Sequence, residues 1–142
     1  LAGQVAEDFA IFDGTNWLAK GGTEKINIVT FTRDQTVASG TQGITGLGFI
    51  PSAIHFISGE NNTTKFSTGH DTLSDRTCWH NRAGSGTLWE KDFTTSSIRV
   101  EESGAIFYEG QVTSFDADGF TITWVRTGAP TGTLEVTAMC YR

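Results

Sequence analysis

Val112-Thr113-Ser114-Phe115, then Asp116-Ala117-Asp118-Gly119, then Phe120-Thr121-Ile122-Thr123-Trp124 decide the fold class. After the central four residues, Phe120, Ile122 and Trp124 fall on one side of an extended chain. Thr121, Thr123 and Val125 fall on the other, which is the period of a strand with one buried face. Asp and Gly between the two arms are turn residues, and Gly119 is expected in the left-handed conformation that such loops require. The stretch therefore predicts an antiparallel hairpin.

The same grammar extends in both directions. Beyond a Gly128–Gly132 turn, Leu134, Val136, Ala138 and Cys140 alternate in a closing strand. Upstream, Ile98–Glu101 and Ala105–Glu109 flank a Ser103-Gly104 turn, and Ile26–Thr32 is rich in β-formers. Pro51 suits a strand start because it has no N–H to offer a ladder. In the strand after it, Ala53–Ser58, Ile54 and Phe56 should face one side, His55 and Ile57 the other. Between these, Gln35–Gly48 is Thr-, Ser- and Gly-rich with Ile44 and Leu47 as its apolar anchors. Gly59–Thr64 reads as an exposed polar loop, and Lys65–Lys91 as the least regular part, with only short strand candidates. At the start, Asp8–Phe12 and Thr15–Leu18 flank Asp13-Gly14 as a small hairpin, and Gly21-Gly22 is the best boundary. About ten short strands at this spacing predict an all-β fold: an antiparallel, jelly-roll-like β-sandwich over 21–142, preceded by a docking hairpin over 1–20.

Composition agrees. The chain has 142 residues, 17 Gly, 22 Thr and one Met, with 37% hydrophobic and 11% aromatic residues. That suits one β-rich domain and excludes a helical bundle, a coiled coil and a collagen-like rod. A net charge of −6 without any Lys/Arg run excludes a nucleic-acid footprint and a polybasic membrane surface. The longest apolar runs are far too short to span a bilayer as a helix, so neither nucleic acid nor membrane insertion is expected. The chain opens at Leu1 without an initiator Met or a signal pattern, which leaves open whether residues precede it.

Candidate chemistry is sparse. Cys78-Trp79-His80 near His70 and Asp71 has Cys and His on one strand face, but a zinc site would need a second ligand pair. Asp116-Ala117-Asp118-Gly119 resembles the start of a calcium loop, yet Thr127 stands where that loop needs its Glu. Gly43, Gly46 and Gly48 resemble a phosphate loop, but Pro51 and a β-type segment follow instead of a helix. No Gly-x-Ser-x-Gly elbow is present, and adjacent Glu101 and Glu102 point to opposite faces of a strand. No catalytic residue, metal or cofactor is therefore assigned. Asn61-Asn62-Thr63-Thr64 carries Asn-x-Thr acceptor patterns that matter only in a secreted eukaryotic chain. For Cys78 and Cys140, two buried thiols are favoured over a disulfide. Trp17, Trp79 and Trp89 sit in turn-rich or irregular segments, where they cover the core and interfaces or else meet a ligand.

Three stretches resemble surface proteins of tailed-bacteriophage virions. Asp8-Phe9-Ala10-Ile11-Phe12-Asp13-Gly14-Thr15-Asn16-Trp17 is similar to the apolar-strand, Asp/Asn-Gly-Thr-x-Trp segment of fibre and appendage proteins. Gly40–Phe56, with Gly48-Phe49-Ile50-Pro51-Ser52-Ala53-Ile54-His55-Phe56 at its centre, is similar to a Gly-Phe-x-Pro-x-x-Ile/Val-x-Phe pattern of virion proteins. Phe115–Trp124 and the strand to Arg142 resemble the matching C-terminal hairpin. The stretch from Gly59 to Glu90 matches no such pattern.

The resemblance implies a non-enzymatic structural protein on the virion exterior, commonly a homotrimer. Phe9, Phe12 and Trp17 would anchor the docking hairpin to a neighbour, whether another copy or a capsid or tail protein. Asn61, Asn62, His70, Trp79, His80 and Trp89, on loops Gly59–Thr64 and His70–Gly86, would contact a host saccharide or protein. The first expectation is a fibre or adhesin module for host attachment. The alternatives are a head decoration protein that reinforces the capsid and a free lectin or carbohydrate-binding module.

Overall fold

The computed structural model describes residues 11–12, 17–18, 25–61, 63–81, 89–92 and 95–142, with the backbone alone at 11–12, 17–18 and 89–92. Two antiparallel sheets and a separate two-stranded ladder make up the described residues, which contain no helix. The strands are β1 (Ile11–Phe12), β2 (Trp17–Leu18), β3 (Ile26–Asp34), β4 (Gly40–Thr45), β5 (Ala53–Glu60) and β6 (Phe66–Asp71). They continue with β7 (Arg76–Asn81), β8 (Trp89–Asp92), β9 (Ile98–Ser103), β10 (Ile106–Asp116), β11 (Gly119–Thr127) and β12 (Thr133–Tyr141). One sheet runs β4-β11-β10-β9 and the other β3-β12-β5-β6-β7-β8.

Alternation builds one shared core. Trp124, Tyr108, Phe120 and Ile122 come from the four-stranded sheet, and Phe56, Ile54, Leu134 and Val136 from the six-stranded one. The Phe120 ring meets Phe31 and Phe56 edge-on, at centroid distances of 6.2 and 5.9 Å. Burying each such side chain contributes roughly 1.5–3 kcal/mol. Where the core meets polar surroundings, its aromatic rings keep their polar atoms paired. The Trp124 indole donates to Gln42 Oε1 at 3.0 Å, and the Tyr108 hydroxyl accepts from Arg33 Nε at 2.8 Å.

Val112–Trp124 forms the β10–β11 hairpin, paired from Phe107↔Thr127 to Asp116↔Gly119 with a register shift between Val112 and Ser114. Gly119 departs from its expected role: its φ is not positive. It is glycine because β4 lies directly against it, and an added Cβ would overlap the Ile44 carbonyl oxygen. Left-handed glycines occur instead at Gly46, Gly48, Gly128 and Gly132.

Connectivity is nested at its ends and sequential within. β3 lies beside β12 and β4 beside β11, while β5–β8 and β9–β11 run as meanders, each in its own sheet. β1 pairs with β2 through Ile11↔Leu18 and Phe12↔Trp17. Phe9, the Asp13-Gly14 turn and the Gly21-Gly22 boundary lie outside the described residues.

The larger correction concerns Lys65–Lys91, which holds three strands of the six-stranded sheet, β6, β7 and β8. The inward positions of β6 and β7 are Ser67, Gly69, Asp71, Cys78 and His80, all buried, so no apolar alternation marks these two strands. Residues 95–97, leading into β9, close over this small, polar interior. Gly69 permits the approach, since a Cβ there would overlap the Ser97 carbonyl and lie 2.5 Å from that of Thr77. Its hydroxyls are paired: Ser58 with Ser67 at 2.8 Å, and Cys78 Sγ with Ser96 Oγ at 3.6 Å. Cys78 and Cys140 are both free and buried, and burial pushes the Cys140 thiol up to about 11.

Candidate functional site

The sequence's polar motifs turn out to hold the fold together. Asp118 Oδ2 accepts from Gly46 N at 3.0 Å, its Oδ1 accepts from Gly48 N, and its carbonyl accepts from Leu47 N at 3.1 Å. The Gly-rich loop that resembled a phosphate cradle is thus an anion nest whose anion is the chain's own carboxylate. Asp116 is likewise engaged, accepting from Ser114 Oγ and Thr121 Oγ1, each at 2.8 Å. Asp71 is fully buried and accepts from Leu73 N, Arg76 Nε, Ser97 Oγ and Val112 N. Among the described residues no three His, Cys, Asp or Glu side chains converge as metal ligands.

What remains is a surface. The outward face of the six-stranded sheet carries Ile26, Ile28, Ile57, Phe66 and Trp79, all exposed. Register aligns them in rows: Ile28–Met139–His55–His70, and Thr30–Thr137–Ile57–Thr68–Trp79. A third row, Thr32–Glu135–Gly59–Phe66, floors an open depression of about 910 Å³ walled by the turn between β5 and β6. This is the size range of small-molecule sites, roughly 300–1,000 Å³.

The wall is stapled in place. Lys65 Nζ donates to Glu60 Oε2 at 2.6 Å, to Glu102 Oε1 at 2.7 Å and to the Thr131 carbonyl at 2.9 Å. Glu102 Oε1 also accepts from Thr131 N at 2.6 Å, tying the turn to β9 and to the loop before β12. Burial, the largest influence on Lys65, opposes its charge, but the bonds to Glu102 and Glu60 outweigh it and raise the amine above its ordinary 10.5. For Glu102 burial acts upward and is likewise outweighed, by Lys65 and Thr131, so its carboxyl lies below the ordinary 4.5.

A group depressed on folding stabilises fully above its unfolded pKa, and that stabilisation is lost as pH falls through the folded value. Urea midpoints followed from neutral pH to below about pH 4 should therefore fall with acidification, and Glu102→Gln should flatten part of that slope. An unchanged slope in the variant would remove Glu102 from the pH dependence. Lys65 acts at the other limb: its stabilisation is complete below 10.5 and is lost as pH rises through its raised value.

The structure separates the residues named from the sequence. Trp79 is 45% exposed on β7, and His70 lies on the outward face of β6 with Nε2 3.4 Å from Asp75 Oδ2. Asn61 is exposed on the depression's wall. His80 is 2% exposed on the inward face of β7, so it is not a surface contact. The expected loop His70–Gly86 is strand over Arg76–Asn81 and in β6 up to Asp71. Phe12 and Trp17 pair across β1–β2 and Trp89 opposes Asn81 in the β7–β8 ladder. Asn62 lies outside the described residues.

Reasoning from sequence missed Glu135, Thr137, Thr30 and Phe66. Strand alternation was their available signal, because the outward partners of Leu134 and Val136 are fixed once the inward ones are known. No protein-family model, curated protein or solved structure matches the chain.

Proposed function

We propose that the chain is a non-enzymatic surface module of a tailed-phage particle, with its two sheets packed as a jelly-roll-like sandwich, that serves host attachment. One observation carries the attachment role: exposed Ile26, Ile28, Ile57, Phe66 and Trp79 share one sheet face with an open depression. Apolar groups gathered on one face mark interaction surfaces more than scattered ones do. The phage setting is supported by the resemblance of Asp8–Trp17, Gly40–Phe56 and Phe115–Trp124 to virion surface proteins. In this reading residues 1–20, with Phe9, Phe12 and Trp17, dock the module to its particle, and the module works as a trimer.

Gold-labelled antibody against the domain, applied to purified particles of the encoding phage, tests the reading. Label at the tail or fibre tips is the expected result. Label over the head would replace attachment by capsid decoration, and unlabelled particles would sink the virion reading altogether. Light scattering that returns a monomer mass would remove the trimer.

A further inference from the structure

We infer that the depression on the six-stranded sheet binds a neutral saccharide, with Glu135 as its hydroxyl acceptor and Phe66 as its apolar wall. The inference deepens the host-attachment reading and rests on it for the source of the glycan. The chemistry of the lining supports it. Among its described lining residues the one cation, Lys65, is held between Glu60 and Glu102, with its side chain 12% exposed. Glu135, by contrast, is exposed on β12 beside the threonines at positions 30, 32 and 137.

Among the described residues the depression therefore presents the exposed Glu135 carboxylate, several hydroxyls and no positive charge beyond Lys65, which Glu60 and Glu102 share. Phosphates, sulfates and uronic acids would meet repulsion with no cation to offset it, whereas a neutral polyol supplies hydroxyl donors that a carboxylate accepts strongly. A pyranose also has an apolar ring face. Phe66, 36% exposed, lies directly opposite Gly59 on the floor, where the missing side chain lets its ring settle against the strand, Cδ2 3.8 Å from the place of a Gly59 Cβ. Trp79 lies diagonally from Phe66 on the neighbouring strand, in reach of a second sugar unit.

Calorimetric titration of the intact chain tests this. The neutral probes are the linear hexasaccharides of glucose in α-1,4 and β-1,4 linkage, of mannose and of N-acetylglucosamine. The anionic probes are heparin and polygalacturonate. At least one neutral probe should bind with a Kd tighter than about 1 mM, and neither anionic one should. Glu135→Ala, an exposed change that should leave circular dichroism unaltered, should weaken binding by about tenfold or more. Thr123→Ala, on the outward face of the other sheet, should leave it unchanged.

Absence of binding by every neutral probe overturns the inference, as does preference for an anionic one. So does a Glu135→Ala chain that binds as before, or one whose only change is in molecular mass, since a second copy would then cover this face. Saccharide binding by a protein that labels no particle would keep the groove and sink the phage setting. Particle-tip label without saccharide binding would do the reverse.

Discussion

Asp71→Ala is expected to cost about 3–5 kcal/mol of folding stability, the usual penalty for breaking a buried, hydrogen-bonded charge pair. Set against a total of roughly 5–15 kcal/mol for a domain, that is enough to unfold much of the population at moderate denaturant. The size follows from what the carboxylate serves. It is fully buried at the end of β6, and each oxygen is occupied. Oδ1 accepts from Leu73 N at 2.7 Å, while Oδ2 accepts from Arg76 Nε at 3.2 Å, Val112 N at 3.0 Å and the Ser97 hydroxyl. Truncation strands these donors together, among them the Val112 N–H, whose bond to Asp71 is buried.

Asn at position 71 should recover little, because its amide nitrogen would face a donor in either orientation. Ser97→Ala removes one neutral donor and should cost only about 1 kcal/mol. Urea unfolding of the three variants measures the series. An Asp71→Ala chain within about 1 kcal/mol of the parent, the size of a single hydrogen bond, would show that the carboxylate is dispensable. Because Asp71 joins β6 and β7 to β10, its loss should also loosen the strands that carry Phe66 and Trp79.

This same network explains where reading the sequence succeeded and where it stopped. Ile54 and Phe56 faced inward as alternation required, and so did Leu134, Val136, Ala138, Cys140, Phe120, Ile122 and Trp124. Those strands bury large apolar side chains, and a period of two is then visible in residue type. β6 and β7 bury Ser67, Gly69, Asp71, Cys78 and His80 instead. Their inward faces are filled by hydrogen-bonded polar groups and by the backbone at 95–97, so the period exists in space and not in hydropathy. His80, expected on a ligand-contact loop, faces inward for this reason: the buried positions around it on β6 and β7 are small and mostly polar. The groove was hidden for a related one. Its floor takes one residue or two from each of β3, β12, β5 and β6, and only cross-strand register, which depends on the whole sheet, brings Thr32, Glu135, Gly59 and Phe66 into a row.

Gly119→Ala should be the most damaging methyl that can be added to the four-stranded sheet. The new Cβ would overlap the Ile44 carbonyl oxygen and lie 2.8 Å from its carbon and 3.0 Å from the Thr45 Cα. These are backbone atoms of a paired strand, so no side-chain rotation relieves the conflict. β11 must move away from β4, and the Gly119↔Thr45 and Phe120↔Ile44 pairs open with it. The displacement also pulls Asp118 from the Gly46 and Gly48 amides that it joins. Overpacking ordinarily costs about 1–3 kcal/mol, and this site should reach or exceed the upper end because its neighbours cannot yield.

Gly43→Ala is the matched control. Gly43 opposes Thr121 in the same ladder, and a Cβ there meets nothing within 4 Å. That substitution should change stability by no more than about 0.5–1 kcal/mol, in the direction of a gain, since alanine restricts the unfolded chain. Urea midpoints at a common m-value compare the two directly. Equal midpoints would mean that β4 and β11 part without cost, and the close approach would then not be the reason for glycine at position 119.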